Sequence, residues 1–196
     1  MRGIARGRGL AFALLCLAAR AGAQAVPAYP LRTGEATFHI RATIVSDFTG
    51  QAAVSRAEYT GADLAHVRGF AEVRVADMRT GIATRDRHLR SAMNADSFPV
   101  LRFELTNVEP GASRGDTVSA VLVGRLTIHG VVREVRSAGS VILGDGGIDV
   151  RAGFALDMRD YGVKPPVRML GALRVAPDVG VGIHLLFGKT ATAPVP

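Results

Sequence analysis

Apolar and polar residues alternate with a period of two along most of this chain, and this pattern restricts its possible folds more than any other feature. In the segment 36–44, Phe38 and Ile40 fall on one face, while His39 and Arg41 fall on the other. Comparable segments are 51–58, 66–78, 100–108, 118–129, 131–143, 149–158, 170–176 and 179–187. Because successive side chains of a strand point to opposite faces, the pattern predicts strands with one dry and one wet face.

Turn-forming residues separate several of these predicted strands. They are Glu-Pro-Gly at 109–111, Gly-Asp-Gly-Gly at 144–147 and Pro-Asp at 177–178. One stretch, 79–98, lacks the alternation, and there Thr84 is a candidate N-cap for a short helix. The sequence therefore predicts an all-β protein with one short helical excursion near residues 82–95.

Many antiparallel strands with little helix leave two common architectures, a sandwich and a closed barrel. Glycines within the strands, such as Gly153, Gly180 and Gly182, suit the kinks and bulges that curve a sheet. Small residues on the inward faces create space, and they are Ala42, Ala120, Gly124 and Ala152. These features favour a closed antiparallel barrel of about eight strands that keeps an internal cavity.

The N-terminus has the three parts of a secretory signal peptide. Arginines in residues 1–9 precede an apolar run at 10–19 and a stretch of small residues that ends at Ala23 or Ala25. The apolar run is too short for a bilayer span, which needs roughly 20 residues. We therefore expect cleavage after Ala23 or Ala25, no integral membrane span thereafter, and a periplasmic or secreted protein.

Cys16 is the single cysteine of the chain and lies inside the apolar run. A lipoprotein signal would need a small residue before it, whereas Leu15 stands there, so processing as a lipoprotein is the less favoured alternative. The expected organisation is a signal peptide at 1–25, an extended leader at 26–34, a barrel at 35–188 and a flexible tail at 189–196. After cleavage no cysteine remains, so disulfide bonds do not stabilise the mature chain.

The charge of the chain argues weakly for a nucleic-acid partner. The whole sequence carries 24 Lys+Arg against 17 Asp+Glu, a net +7, and removal of the four signal arginines leaves +3. It contains no run of five or more basic residues. We therefore predict no nucleic-acid partner, and we leave a homodimer open.

The polar residues give little support for a metal or a cofactor. No two of the five histidines are spaced as metal ligands, and no cluster of carboxylates accompanies them. The histidines are His39, His66, His88, His129 and His184. The sequence also lacks a Gly-x-Ser-x-Gly motif. We predict no metal site, no cofactor and no enzymatic activity.

The cluster of Arg85, Asp86 and His88 has three interpretations. It could form a catalytic site in which Asp86 orients His88 and Arg85 binds an anion. The favoured interpretation is a structural brace that pins the helical excursion to the barrel. A third is a polar rim at which Arg85 or His88 contacts the head of an amphiphile.

Three sequence blocks together resemble the YceI-like family. The first is Thr80-Gly81 followed by Arg85-Asp86-x-His88-Leu89-Arg90-Ser91, with Phe98-Pro99 and Phe103 after it. The second is Gly124-x-Leu126-Thr127-Ile128-His129-Gly130-Val131, and the third is Asp160-Tyr161-Gly162-Val163. The resemblance covers roughly residues 35–187. It implies a lipocalin-like barrel and a small exported protein that binds polyisoprenoid chains or related amphiphiles in a long internal pocket.

The resemblance turns the inward apolar residues into candidates for a lipid tube. An isoprenoid tail offers no hydrogen-bonding groups, so it is held by shape and dry volume. The expected ligand is an isoprenoid quinone, a polyprenyl lipid or another long-chain lipid, for transport, storage or sequestration. The alternatives are an enzyme that acts on an amphiphile, or an envelope protein with a structural or partner-binding role. The expected lining residues are Phe38, Ile40, Phe103, Leu105, Leu122, Leu126, Phe154, Leu156, Ile183 and Leu185.

Overall fold

The computed structural model describes residues 28–43, 46–61, 64, 66–144, 147–168 and 173–188. The predicted signal peptide (1–25) and the predicted tail (189–196) lie outside these residues.

Antiparallel strands form most of the described chain. They are β1 (Ala28–Ala42), β2 (Phe48–Thr60), β3 (Arg68–Arg74), β4 (Val100–Arg114), β5 (Thr117–Ile128), β6 (Val131–Gly144), β7 (Gly147–Asp157), β8 (Val167–Arg168) and β9 (Leu173–Gly188). Each strand from β1 to β6 pairs with the next, and β9 pairs with both β7 and β1, which closes a barrel of eight strands. The short β8 pairs with β9. The predicted closed antiparallel barrel is confirmed.

Strand β1 begins earlier than the alternation indicated. It starts at Ala28 and pairs with β2 from there, so the predicted start of the barrel at residue 35 is corrected. Pro30 interrupts the sequence pattern, yet it lies within the strand opposite Glu58. The ring of Tyr29 packs against that of Tyr59, with centroids 5.6 Å apart, and this contact holds the start of the strand on the barrel.

Two of the predicted turns are strand irregularities instead. Strand β4 continues through the Glu-Pro-Gly segment at 109–111, and the chain turns at Gly115-Asp116. Because β3 pairs with β4 only as far as Leu105, Pro110 lies where β4 has a single neighbour, a position that tolerates proline. Likewise, Pro177-Asp178 lies within β9, where the register against β1 shifts. The remaining predicted turn, Gly-Asp-Gly-Gly at 144–147, is confirmed, since β6 ends and β7 begins within it.

The helical excursion is confirmed as α1, which spans Ala83–Ala92. The predicted cap at Thr84 is wrong, because Ile82 occupies the N-cap position and Thr84 lies in the first turn. A residue within α1 fixes the segment before the helix instead. The carboxylate of Asp86 accepts a hydrogen bond from the Thr80 N–H at 2.7 Å. Two short 3-10 helices span Val75–Asp77 and Met158–Tyr161.

A tight two-residue turn joins β5 and β6. Its residues, His129 and Gly130, both have positive φ values, 51° and 76°, as a type I′ hairpin requires. The His129 ring packs on Phe98 with centroids 4.4 Å apart, and Gly130 also lies against Phe98. This contact ties the hairpin to the segment that follows α1.

The two ends of the barrel differ. At one end, which we call the closed end, Tyr59 and Phe187 are buried on the two strands that flank β1, and their rings are 5.8 Å apart. Val67 is almost fully buried there, beside the start of β3. The opposite end, which we call the open end, carries α1 and the β5–β6 hairpin.

Candidate functional site

A cavity of about 720 Å³ occupies the barrel interior. Every long strand contributes inward side chains to it, and α1 contributes one face. Most of these side chains are apolar: Ala36, Phe38, Ile40, Ala42, Phe48, Ala52, Val54, Ala71, Val73, Met78, Ile82, Leu89, Ala92, Met93, Leu101, Phe103, Leu122, Leu126, Ile128, Val150, Ala152, Phe154, Leu156, Met158, Val163, Pro166, Val175, Val179, Val181, Ile183 and Leu185.

The predicted lining residues lie around this cavity with one exception. Phe38, Ile40, Phe103, Leu122, Leu126, Phe154, Leu156, Ile183 and Leu185 all line it. Leu105 does not, so that placement was wrong. It lies opposite Gly69 and Gly124, one inward position nearer the closed end than Phe103, and it packs against the core. Alternation predicts that a side chain points inward, but not how far the cavity extends along the strand.

Two strand glycines hold phenylalanine rings against the barrel wall. A side chain at Gly50 would collide with the ring of Phe38, and one at Gly124 would collide with the ring of Phe103. Each ring therefore lies over a glycine of the neighbouring strand. Gly124 was predicted to create space, and that space is taken up by Phe103, whereas the role of Gly50 was missed.

Small inward residues keep the middle of the barrel open. Ala36, Ala52, Ala71 and Ala152 all line the cavity. Of the small residues expected from the sequence, Ala42 and Ala152 line it, whereas Ala120 is buried in the core outside the lining. Side chains of this size leave a gap where larger residues would meet across the interior.

The cavity reaches solvent at the open end. Five of its lining residues are exposed and lie in α1, just before it, or in the segment that leads into β2, and we call them the rim: Ser46, Asp47, Ile82, Thr84 and His88. The side chains that cross the closed end, such as Tyr59 and Phe187, do not line the cavity. The opening of the cavity therefore lies beside α1.

The Arg85–Asp86–His88 cluster is built around Thr80, which sequence reasoning missed. The Asp86 carboxylate is buried and accepts hydrogen bonds from the Thr80 N–H at 2.7 Å and from the Thr80 hydroxyl at 2.5 Å. Arg85 donates through Nε to the Thr80 hydroxyl at 3.0 Å and through a terminal nitrogen to the Thr80 carbonyl at 3.3 Å. The guanidinium of Arg85 also lies 4.1 Å from the centre of the Phe48 ring.

The predicted Arg–Asp–His network is therefore corrected. Asp86 does not line the cavity and bonds to Thr80, and among the described residues His88 has no hydrogen-bond or ion-pair partner. The hydrogen bond from the Thr80 hydroxyl lowers the pKa of the Asp86 carboxyl, while burial opposes the shift. The brace consists of Thr80, Arg85 and Asp86, and His88 is left exposed on the rim.

Two further polar groups are buried along the cavity. Ser137 on β6 is 3 % exposed, and its hydroxyl has no hydrogen-bond partner within the described chain. Tyr161, from the third sequence block, is also buried, and burial raises the pKa of its phenol. Neither residue was among the predicted lining set, because each interrupts or lies beyond the alternating apolar pattern.

In the described part of the chain, no three histidine, cysteine or carboxylate side chains come together as a metal site. None of the helices in this part combines the length and the apolar character that a membrane crossing requires.

Solved structures with the same fold come from several bacteria. BcnA from Burkholderia cenocepacia is 15 % identical, with a TM-score of 0.64 over 78 % of this chain and 95 % of that one. A polyisoprenoid binding domain from Saccharophagus degradans, implicated in plant cell wall breakdown, is 14 % identical, with a TM-score of 0.65 over 84 % of this chain and 99 % of that one. A YCEI protein from Campylobacter jejuni is 15 % identical, with a TM-score of 0.56 over 75 % and 88 % of the two chains. At such identities the likeness concerns the fold alone.

No curated protein sequence matches the chain. The model of the YceI-like domain matches residues 30–187, which include all eight strands of the barrel except the start of β1 and the end of β9. The resemblance seen in the three sequence blocks is thus confirmed, and the chain belongs to the YceI-like family.

Proposed function

We propose that this protein is an exported carrier that holds one long apolar chain, of the polyisoprenoid type, inside its barrel. The observation that supports this function best is the cavity of about 720 Å³, with its apolar wall and its exposed rim beside α1. A cavity of this size is typical of small-molecule sites, which are mostly apolar with few polar groups.

The shape of the cavity suits a chain better than a compact ligand. On β5 the lining runs from Leu122 to Ile128, a stretch of about 20 Å at the usual rise of a strand. Burial of apolar surface contributes about 25 cal/mol for each Å², so a chain of this length binds without polar contacts along its middle. The methyl branches of an isoprenoid suit the gaps beside the inward alanines.

The Saccharophagus degradans structure supports the ligand class, because that protein is described as a polyisoprenoid binding domain with the same fold. The signal-like sequence at 1–25 supports export to the periplasm or beyond. The brace gives no support to catalysis, since Asp86 bonds to Thr80 rather than to His88. Transport, storage and sequestration all require the same cavity.

Native mass spectrometry of the purified protein, followed by lipid extraction, tests the proposal. The expected result is a population heavier than the chain by the mass of one lipid, and extraction should release an isoprenoid. A chain that stays free of lipid after purification from cells rich in isoprenoid quinones and polyprenols would contradict the proposal.

A pair of matched variants on β7 places the lipid inside the barrel. Ala152 lines the cavity, whereas Ala155 is exposed on the outer face of the same strand. Ala152→Phe should fill part of the cavity and lower the bound fraction at least tenfold, while Ala155→Phe should leave it unchanged. Equal retention of lipid by both variants would place the lipid elsewhere. Export is tested separately, by cell fractionation and by sequencing the N-terminus of the mature chain, which should begin at residue 24 or 26.

A further inference from the structure

Ser137 differs from the other buried polar residues of the described chain that are not aromatic. Apart from the tyrosines, the buried polar residues there are Thr80, Asp86 and Ser137. Thr80 and Asp86 satisfy each other through two hydrogen bonds, but the Ser137 hydroxyl has no partner. A buried polar group without a hydrogen bond is destabilising, so such groups are rare in folded proteins and call for an explanation.

The position of Ser137 places it deep in the cavity. It pairs with Leu122, the innermost lining residue of β5, and both side chains face inward. The ends of β5 and β6 at the open end lie six residues further along these strands, a distance of about 20 Å. Ser137 is thus a polar point on an otherwise apolar inner wall.

The inner wall offers nothing that would stabilise a charge. The ionisable side chains that line the cavity are Asp47 and His88 of the rim, Arg85 beside them, Arg102 and the phenol of Tyr161. Arg102 turns outward to pair with Glu72 and Glu104 on the barrel surface. An unpaired charge moved into such a region costs far more than a neutral hydroxyl or carbonyl group, which needs one hydrogen bond.

We propose that Ser137 is a binding site for a neutral oxygen atom and that it selects ligands by the chemistry of their head. This inference rests on the proposed function. An isoprenoid with a compact neutral head, such as an alcohol or a quinone, enters head first and hydrogen-bonds to Ser137. An isoprenoid with a charged head keeps that head at the open end, beside Arg85 and His88.

One local movement is needed for this contact. The Ser137 oxygen itself exposes less than 1 Å². Rotation about χ1, which has three staggered positions, turns it towards a ligand that offers a polar atom. Binding is then favoured twice, because the ligand gains a hydrogen bond and the Ser137 hydroxyl is no longer unsatisfied.

Three ligands with one chain test this selection: geranylgeraniol, geranylgeranyl diphosphate and the same chain as a hydrocarbon without oxygen. Their affinities are measured by competition with a fluorescent apolar probe, for the wild-type protein, Ser137→Ala and the control Ser119→Ala. Ser119 is exposed on the outer face of β5. A double variant, Arg85→Ala with His88→Ala, reports on the open end.

Ser137→Ala should weaken geranylgeraniol by about fivefold to tenfold, the usual worth of one hydrogen bond. It should leave the affinities for the hydrocarbon and the diphosphate within about twofold of the wild-type values. Ser119→Ala should change none of the three affinities. The double variant should weaken the diphosphate more than the alcohol. Equal effects of Ser137→Ala on all three ligands, or no effect on the alcohol, would overturn the inference while the proposed function stood.

A wild-type protein that bound none of the three ligands would overturn the proposed function and the inference with it. Thermal unfolding without ligand gives an independent result. Ser137→Ala should unfold at the same or a higher temperature than wild type, because it removes an unsatisfied hydroxyl. A lower temperature would show that the hydroxyl stabilises the fold itself, and this too would overturn the inference.

Discussion

The same eight strands form two different ends of the barrel, one packed with buried side chains and one where the cavity opens. At the closed end, the buried rings of Tyr59 and Phe187 pack together from the two strands that flank β1. At the open end, the strands lead to α1, whose inner face lines the cavity and whose neighbouring residues are exposed. One end is therefore packed with buried side chains, while the other has the opening of the cavity, and mutations should affect the two ends differently.

The largest loss of stability should follow from opening the closed end. Phe187→Ala removes a ring that is 3 % exposed and 5.8 Å from the ring of Tyr59. We expect a loss of about 3–5 kcal/mol in the free energy of unfolding, as for other buried phenylalanines. Urea denaturation measures it. A loss below about 1 kcal/mol would show that the closed end does not carry the fold.

A smaller loss should follow from breaking the brace beneath α1. Asp86→Ala leaves the Thr80 N–H and hydroxyl without their acceptor, so we expect a loss of about 2 kcal/mol. Thr84→Ala, in the first turn of α1 without a capping role, is the matched control and should cost far less. If both variants unfold alike, the brace contributes nothing.

The brace also predicts a dependence of stability on pH. The folded state lowers the pKa of Asp86 below its ordinary value of 3.8, so the ionised carboxylate stabilises the fold. This contribution is fully present above the ordinary pKa and is lost as the pH falls through the lowered value. Unfolding measured between neutral pH and acid pH should show the wild type losing stability relative to Asp86→Ala below about pH 4. A constant difference across this range would contradict the assignment.

The hairpin at the open end should be less sensitive than the brace. Gly130→Ala forces a side chain into a positive φ of 76° and against the ring of Phe98, with an expected loss of about 1–2 kcal/mol. Gly115 also has a positive φ, 58°, but open space around it. Gly115→Ala should therefore cost less, and the difference measures the contact with Phe98. Equal losses would show that the contact with Phe98 does not contribute to stability.

The smallest effect on stability should come from the rim. His88 is exposed and, within the described residues, lacks a polar partner, so His88→Ala should change the free energy of unfolding by less than about 0.5 kcal/mol. Chemical denaturation checks this expectation. A large loss would mean that His88 belongs to the brace after all.

The sequence predicted the parts of the molecule that depend on local pattern. Alternation identified the strands and the inward faces, since a side chain such as Phe154 must point opposite to its neighbours. It did not reveal how far the cavity extends, so Leu105 was placed one step too far along β4. Nor did it reveal that Pro110 and Pro177 lie within strands. Whether a strand tolerates a proline depends on which neighbouring strands pair with it at that residue, and alternation does not show this.

The remaining errors arose from contacts between distant positions. Thr80 and Asp86 are close in sequence, but their hydrogen bonds depend on how the chain enters α1, which no local pattern shows. The fit of Phe38 over Gly50 depends on strand register. Ser137 was overlooked because a polar residue on an inward face reads as a break in the pattern. Such a break marks a residue whose partner must be sought elsewhere.

The central claim is that an apolar chain binds inside the barrel, and the alanine methyl groups report on it directly. Ala36, Ala52, Ala71 and Ala152 line the cavity, whereas Ala53, Ala138 and Ala155 are exposed on the outer face. Methyl NMR spectra of the protein labelled at alanine, recorded while geranylgeraniol is added, distinguish the two sets. We expect the inward methyl signals to shift and saturate at one ligand per chain while the outward signals stay in place. Shifts confined to the outward methyl groups, or no shifts at all, would contradict it.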